Sequence, residues 1–159
     1  GDGLVPDYLT EVKQGGFYGW PYAYTGTFPD PDYAEEAPEM VEKSILPDVL
    51  FQSHSAPLGL TFYRGGSFPD EYVNDAFVAF QGSWNASKPT GYKIVRVPFE
   101  NGRPTGSYQN FATGFRIEAE EPGAAKVWGR PVGLAVAADG SLLVADAVSQ
   151  TVWRISYAQ

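Results

Sequence analysis

The chain has 159 residues, 43% of them hydrophobic and 15% aromatic, which is enough apolar surface for one core and argues against global disorder. A net charge of -8, with only 11 Lys and Arg and no basic stripe, argues against nucleic acid as a partner, because phosphate binding needs clustered cations. Cysteine is absent, which removes disulfides, thiolate metal sites and cysteine nucleophiles, and no apolar run approaches the ~18 residues of a membrane span. The 18 Gly and 13 Pro point to short strands joined by many turns.

In chain order, residues 1–56 form an irregular approach. Tyr8 to Lys13 predicts one short strand, and Gln14-Gly15-Gly16 a turn. The aromatic cluster Phe17-Tyr18-Gly19-Trp20-Pro21-Tyr22 follows, with Trp20 expected to pack in a core or between sheets. A long Pro-rich excursion then carries Asp30, Asp32, Glu35, Glu36, Glu39 and Glu42 with no cation among them, and reads as a solvated face. A helical turn is expected over Glu39 to Ser44.

Residues 57–115 read as one blade of strands at Leu58–Tyr63, Ala76–Phe80, Tyr92–Phe99 and Ser107–Phe115. Asn101-Gly102 between the last two is a type I′ hairpin signal, since both central residues of that turn need positive φ. Residues 116–128 read as a loop, polar from Glu118 to Lys126, and 129–159 as a second blade that stops early. The second blade repeats the first: Pro57-Leu58-Gly59-Leu60 lies 74 positions before Pro131-Val132-Gly133-Leu134. Val78-Ala79 lies 66 before Val144-Ala145, and Ile94-Val95-Arg96-Val97 lies 58 before Val152-Trp153-Arg154-Ile155. The shrinking offset means the same three strands with two longer loops in the first copy. A repeated unit that cannot bury its own face implies a radial β architecture, here an all-β partial β-propeller of about two four-stranded antiparallel blades, the last incomplete.

The ordered motifs Gly15-Gly16-Phe17-Tyr18-Gly19-Trp20-Pro21, His54-Ser55-Ala56-Pro57-Leu58-Gly59-Leu60, Gly82-Ser83-Trp84-Asn85, Gly129-Arg130-Pro131-Val132-Gly133-Leu134 and Leu143-Val144-Ala145-Asp146 with Val152-Trp153-Arg154 run over nearly the whole chain. Together they resemble the C-terminal part of the glucose/sorbosone dehydrogenase family. The resemblance implies a six-bladed propeller, of which this chain is the last two blades. It also implies pyrroloquinoline quinone (PQQ) and Ca²⁺ as cofactors, a sugar as substrate, and a periplasmic or extracellular location. The family's catalytic histidine lies in an earlier blade and no residue here matches it, so no catalytic base is assigned.

The repeat puts His54 and Arg130 at matching starts of the two copies. His54, the single histidine, is either a loop residue satisfied by backbone or, by the resemblance, a channel-facing neighbour of the quinone. Arg130 is either a rim salt bridge or a carboxylate-binding contact to the quinone, which carries three carboxylates suited to a guanidinium fork. Lys88, in the loop from Gln81 to Gly91, is either solvated or, by the resemblance, a third cofactor contact. Members of the family tend to have His where Gln81 stands and Arg where Ala86 stands, which sets this loop apart. The metal ligands are unknown, since carbonyl ligands near Asp2 to Asp7 would leave no sequence trace. Asp139 and Asp146 are explained by a turn and a strand end, and Trp153 by packing.

Two functions follow. One is part of a quinone-dependent sugar dehydrogenase, contributing cofactor-site residues. The alternative is a non-catalytic half-propeller, a binding or assembly module whose open edges are covered by the rest of the ring or by a second copy.

Overall fold

A computed structural model describes residues 2–117 and 126–158. The strands fall where the repeat places them. The first sheet is an antiparallel meander of β1 (Pro57–Phe62), β2 (Ala76–Phe80), β3 (Lys93–Val97) and β4 (Gln109–Ala112), in the order β4-β3-β2-β1. The second holds β5 (Pro131–Val136), β6 (Leu142–Asp146) and β7 (Thr151–Ile155), paired in sequence order. The three shared strands repeat with the offsets read from the sequence, and so does an irregularity. The register slips between Pro57 and Gly59 against β2, and between Pro131 and Gly133 against β6. A bulge kept at the same place in both copies bends each innermost strand at the point where it leaves the rim. The architecture is an all-β partial propeller: one four-stranded blade, one three-stranded blade and an irregular approach.

The approach contributes two-residue ladders, Tyr8–Leu9 with Val49–Leu50 and Ala23–Tyr24 with Phe28–Pro29, and one short helix, α1 (Pro38–Lys43). The strand expected over Tyr8 to Lys13 is thus only two residues long, because Asp48 turns the chain away at Thr10 and Glu11. Its Oδ2 accepts from the Thr10 hydroxyl at 3.2 Å and the Glu11 amide at 2.7 Å. The Asn101-Gly102 hairpin forms as expected, with φ of 53° and 77° and with Phe99–Glu100 paired to Arg103–Pro104. The loop 116–128 is closed at its base by Arg116–Ile117 pairing with Lys126–Val127, and the polar stretch expected from Glu118 lies outside the described residues up to 125.

Two cores hold the molecule. Between the sheets, Tyr63, Phe68, Phe77, Tyr92, Ile94, Phe115, Leu142 and Val144 are buried together, with Trp153 packed against them as expected. On the far face of the first sheet, Val49 and Phe51 from the approach cover Ala76, Val78, Phe80, Val95 and Val97. Trp20 departs from expectation and is 80% exposed. The tight element there is backbone: the Ala23 amide donates to the Gly19 carbonyl at 2.7 Å, and Gly19 is buried with φ 107°, so the turn closes on its glycine and turns the indole outward.

An arginine on the third strand ties down each blade. Arg96 Nε donates to Asp75 at 2.5 Å and Nη1 to Glu71 at 3.1 Å, with the guanidinium 4.2 Å from the Tyr72 ring centre. Its repeat equivalent, Arg154, donates from Nε to Ser141 at 3.1 Å and pairs with Asp139, whose Oδ1 also accepts from the Ser141 amide and hydroxyl. Asp139 is therefore accounted for by its turn.

The innermost strands approach each other most closely at Gly59. A methyl group there would sit 3.1 Å from the Val132 carbonyl carbon and closer still to its oxygen, whereas one at the equivalent Gly133 would meet only the Ala145 methyl, at 3.4 Å. Gly59→Ala is expected to cost about 2 kcal/mol or more by forcing the blades apart, and Gly133→Ala to change stability by about 1 kcal/mol or less. Chemical denaturation of the two variants checks this, and equal effects would contradict the assignment of Gly59 as the contact point.

Candidate functional site

The N-terminal ends of β1 and β5 open on one rim, and four segments meet there. Residues Ser53–Ala56 precede β1, and the Gln81–Gly91 loop folds back onto them: the Gln81 amide donates to the Ala56 carbonyl and the Gly82 amide to the Ser55 carbonyl, both at 2.9 Å, while the Thr90 hydroxyl donates to the Ser53 carbonyl at 3.0 Å. The N-terminal segment joins through Asp7, whose carboxylate accepts from the Ala56 amide at 3.1 Å, and through Asp2, which accepts from the amide and hydroxyl of Ser87. The fourth segment is Gly129-Arg130, at the head of β5.

Arg130 is half-buried and reaches across the blade boundary. Its Nη1 donates to the carbonyls of Gly82 at 2.8 Å and Gln81 at 3.4 Å, and its Nη2 to Ser83 at 3.1 Å. The guanidinium carbon lies 4.8 Å from the Tyr92 ring centre, a cation–π geometry. Tyr92 in turn donates its hydroxyl to the Ser83 carbonyl, and Ser83 holds the two limbs of the loop together, its amide donating to the Thr90 carbonyl at 2.9 Å and its Oγ accepting from the Thr90 amide at 3.1 Å. A second guanidinium holds the returning limb, Arg116 Nη1 donating to the Pro89 carbonyl at 3.0 Å. Glycine makes this packing feasible. A methyl at Gly82 (φ 93°) would lie 2.5 Å from the Tyr92 ring, and one at Gly91 (φ 86°) would lie 2.6 Å from Gly82 Cα.

The sequence-predicted residues therefore share one rim, held by different devices. His54 lies between Ser53 and Ser55, half-buried with a left-handed backbone (φ 63°). The Ser87 hydroxyl and amide chiefly hold the neighbouring Asp2 carboxyl below the usual carboxylate range, with burial opposing them. Lys88 is exposed at the tip of the loop, beside Ser87, and Trp84 on the same tip is 85% exposed. Arg130 makes no ion pair among the described residues; it binds carbonyls instead of the carboxylate a rim salt bridge would need. Among the described residues no group of three His, Cys, Asp or Glu is placed to hold a metal ion. A separate cleft of about 550 Å³, lined by Leu60, Phe62, Glu11, Asp48 and Arg103, lies at the other end of β1 and belongs to a different surface.

Ser83, Tyr92, Arg116 and Asp146 are rim-building residues that the sequence reading did not bring to the site. Asp146 ends β6 as expected, but its reach is longer. Its Oδ1 accepts from the amides of Arg130 at 2.9 Å, Val148 at 2.9 Å and Ser149 at 3.1 Å, and its Oδ2 from the Trp153 indole at 3.1 Å. The carboxylate fills the space over Gly129 that a side chain would take, so it fixes the backbone from which Arg130 projects. Burial pushes the Asp146 pKa up, but the donors from Arg130, Ser149, Trp153 and Val148 outweigh it and hold it at about 2.

Together these strands and the rim at the heads of the innermost strands, which carries Arg130, His54 and Lys88, define a partial β-propeller domain. The sequence profile of the TrAA12-like family matches residues 27–158, and the chain belongs to that family. It is 34% identical over 162 residues to an uncharacterized protein of Borreliella burgdorferi, matching 99% of this chain and 40% of that protein. It is 38% identical over 55 residues to the pyrroloquinoline quinone-dependent pyranose dehydrogenase of Coprinopsis cinerea, matching 35% of this chain and 7% of that enzyme. Among solved structures, the calcium structure of the Trichoderma reesei family AA12 enzyme aligns with 87% of this chain and 38% of its own, at a TM-score of 0.60 and 26% identity. The holo PQQ domain of the Coprinopsis pyranose dehydrogenase aligns with 72% of this chain and 30% of its own, at a TM-score of 0.56 and 28% identity. A glucose dehydrogenase at 17% identity and a TM-score of 0.65 shares the fold. The chain thus spans about 40% of the length of the first of these relatives.

The Asp146 carboxylate gives a pH signature. Its pKa is depressed from 3.8 to about 2 on folding, so its stabilisation is fully present above about pH 4 and is lost as pH falls toward 2. Asp146→Asn should cost about 2 kcal/mol at neutral pH, through loss of charge-assisted hydrogen bonds, and should flatten the acid limb of the stability curve. Urea unfolding between pH 2 and 7 reads both; an unchanged acid limb would contradict the role given to Asp146.

Proposed function

We propose that this chain is the C-terminal part of a quinone-dependent sugar oxidoreductase, and that its rim supplies part of the site for PQQ without supplying the catalytic base. The observation that carries this is the convergence of Arg130, His54 and the Lys88 loop on the heads of β1 and β5, in a chain of the TrAA12-like family. The residues fit the group in charge. A planar cofactor with three carboxylates suits nitrogen-bearing side chains from three separate segments, and the Nε of Arg130 has no hydrogen-bond partner among the described residues. Arg130 would meet a carboxylate through that open edge, Lys88 would add a mobile positive charge, and His54 would contact the ring system or its oxygens. When bound, PQQ supplies the two-electron acceptor that amino-acid side chains lack. Ca²⁺ would sit with the Asp2–Asp7 segment, whose backbone is pinned to the rim by Asp2 and Asp7. The substrate class is a pyranose or related sugar, and the setting is outside the cytoplasm, periplasmic or extracellular. Among the described residues no helix is long and apolar enough to cross a membrane.

The chain, or the longest natural polypeptide that contains it, is expected to bind PQQ in the presence of Ca²⁺, followed by quenching of tryptophan fluorescence. Arg130→Ala should weaken that binding by about tenfold or more, the size of one charge-assisted contact. Absence of binding in both forms would reject the cofactor reading.

The alternative, a half-propeller acting as an assembly module, is favoured by a specific feature of the surface. In the four-stranded blade β4 pairs the outer edge of β3, whereas the corresponding edge of β7 carries no strand among the described residues, and Leu58 on the innermost strand is 58% exposed. On either reading, the remainder of the ring or a second copy of the chain covers these edges. Light scattering of the 159-residue chain should therefore show self-association, and a monodisperse monomer would count against it.

A further inference from the structure

We infer that Arg130 is a positioning residue for the Gln81–Gly91 loop, and that it governs ligand binding at the rim by presenting Lys88 as well as through any contact of its own. The inference rests on the cofactor reading above only for its ligand; the geometry stands without it. Both terminal nitrogens of Arg130 are turned to the loop, Nη1 to the Gly82 carbonyl at 2.8 Å and Nη2 to the Ser83 carbonyl at 3.1 Å. The Nη1–Nη2 edge, one of the two that can grip a carboxylate bidentately, is thus spent on main chain, and only the Nε side is left for a ligand. Carbonyls in a tight loop that point at one place have no strand partners, and a half-buried guanidinium satisfies them together. Tyr92 clamps the same carbonyl of Ser83 and stacks on the guanidinium, so the limb is held from two sides. Arg116 does the same for the other limb at Pro89. Both arginines come from beyond β4, whereas the loop belongs to the first blade. The conformation of the loop is therefore set by the chain that follows it.

A lysine ammonium at position 130 would keep the charge but could not span two carbonyls in a plane. This separates positioning from simple electrostatics. Hydrogen exchange of the Ser83 and Thr90 amides should quicken at least tenfold in both Arg130→Lys and Arg130→Ala, while amides of Val78 and Val144 in the sheets keep their protection. Tyr92→Phe, which removes only the hydroxyl, should quicken the same two amides by a smaller factor. The second arm is a double-mutant cycle on PQQ affinity. If Arg130 presents Lys88, then Lys88→Ala weakens binding several-fold in the wild-type background and has no further effect beside Arg130→Ala. Multiplicative losses, or unchanged exchange at Ser83 and Thr90 in Arg130→Ala, would overturn the inference. Should no variant and no wild type bind PQQ, the cofactor reading fails and the exchange arm alone decides the positioning role.

Discussion

The close approach of the two innermost strands is the constraint on which the rest of the molecule depends. Gly59 lets the backbone of β1 reach that of Val132 in β5, and the duplicated bulge at Pro57 and Pro131 bends each strand away at the same height. Strand heads that start side by side must deliver their preceding residues, His54 and Arg130, to one rim. The buried cluster between the sheets then locks the angle, because Phe77, Ile94, Leu142 and Val144 present alternate residues of facing strands to each other. At roughly 25 cal/mol per Å² of apolar surface, a cluster of that size outweighs any single hydrogen bond on the rim. The rim polar contacts decide shape within a frame that apolar burial has already fixed.

Most of that frame was legible because it was written twice. The offsets of 74, 66 and 58 positions located β5, β6 and β7 from β1, β2 and β3, and the same arithmetic pairs Arg96 with Arg154. Local turn chemistry was equally readable, as Asn101-Gly102 and Asp139-Gly140 show. Trp20 was misread, since an aromatic between Gly and Pro looks anchored, yet the turn buries the glycine and leaves the ring out. The rim was legible as a place and not as a mechanism. His54 and Arg130 could be set at equivalent positions by the repeat, but the partners of Arg130 are carbonyl oxygens of residues 81–83, which every residue possesses. Asp146 escaped for the opposite reason. Its repeat counterpart is Phe80, so the duplication gave no hint that a carboxylate there supports Arg130.

Asp146, Arg130 and the Gln81–Gly91 loop form a single mechanical series. The carboxylate accepts from the Arg130 amide and occupies the space over Gly129; the Arg130 side chain then reaches back across the blade boundary to the loop carbonyls. Each link spans two blades or two turns, so none can be replaced by a contact within one strand. This explains why the low pKa of Asp146 belongs to the site as well as to stability. Protonating it would remove the charge that strengthens the bond from the Arg130 amide and loosen the base from which the guanidinium is aimed. A ligand that met Lys88 or the open edge of Arg130 would be drawing on an arrangement fixed from the second blade. Gln81 lies inside the same series: it contributes its carbonyl to the guanidinium, a function independent of its side chain, so the framework of the rim does not depend on which residue type stands there.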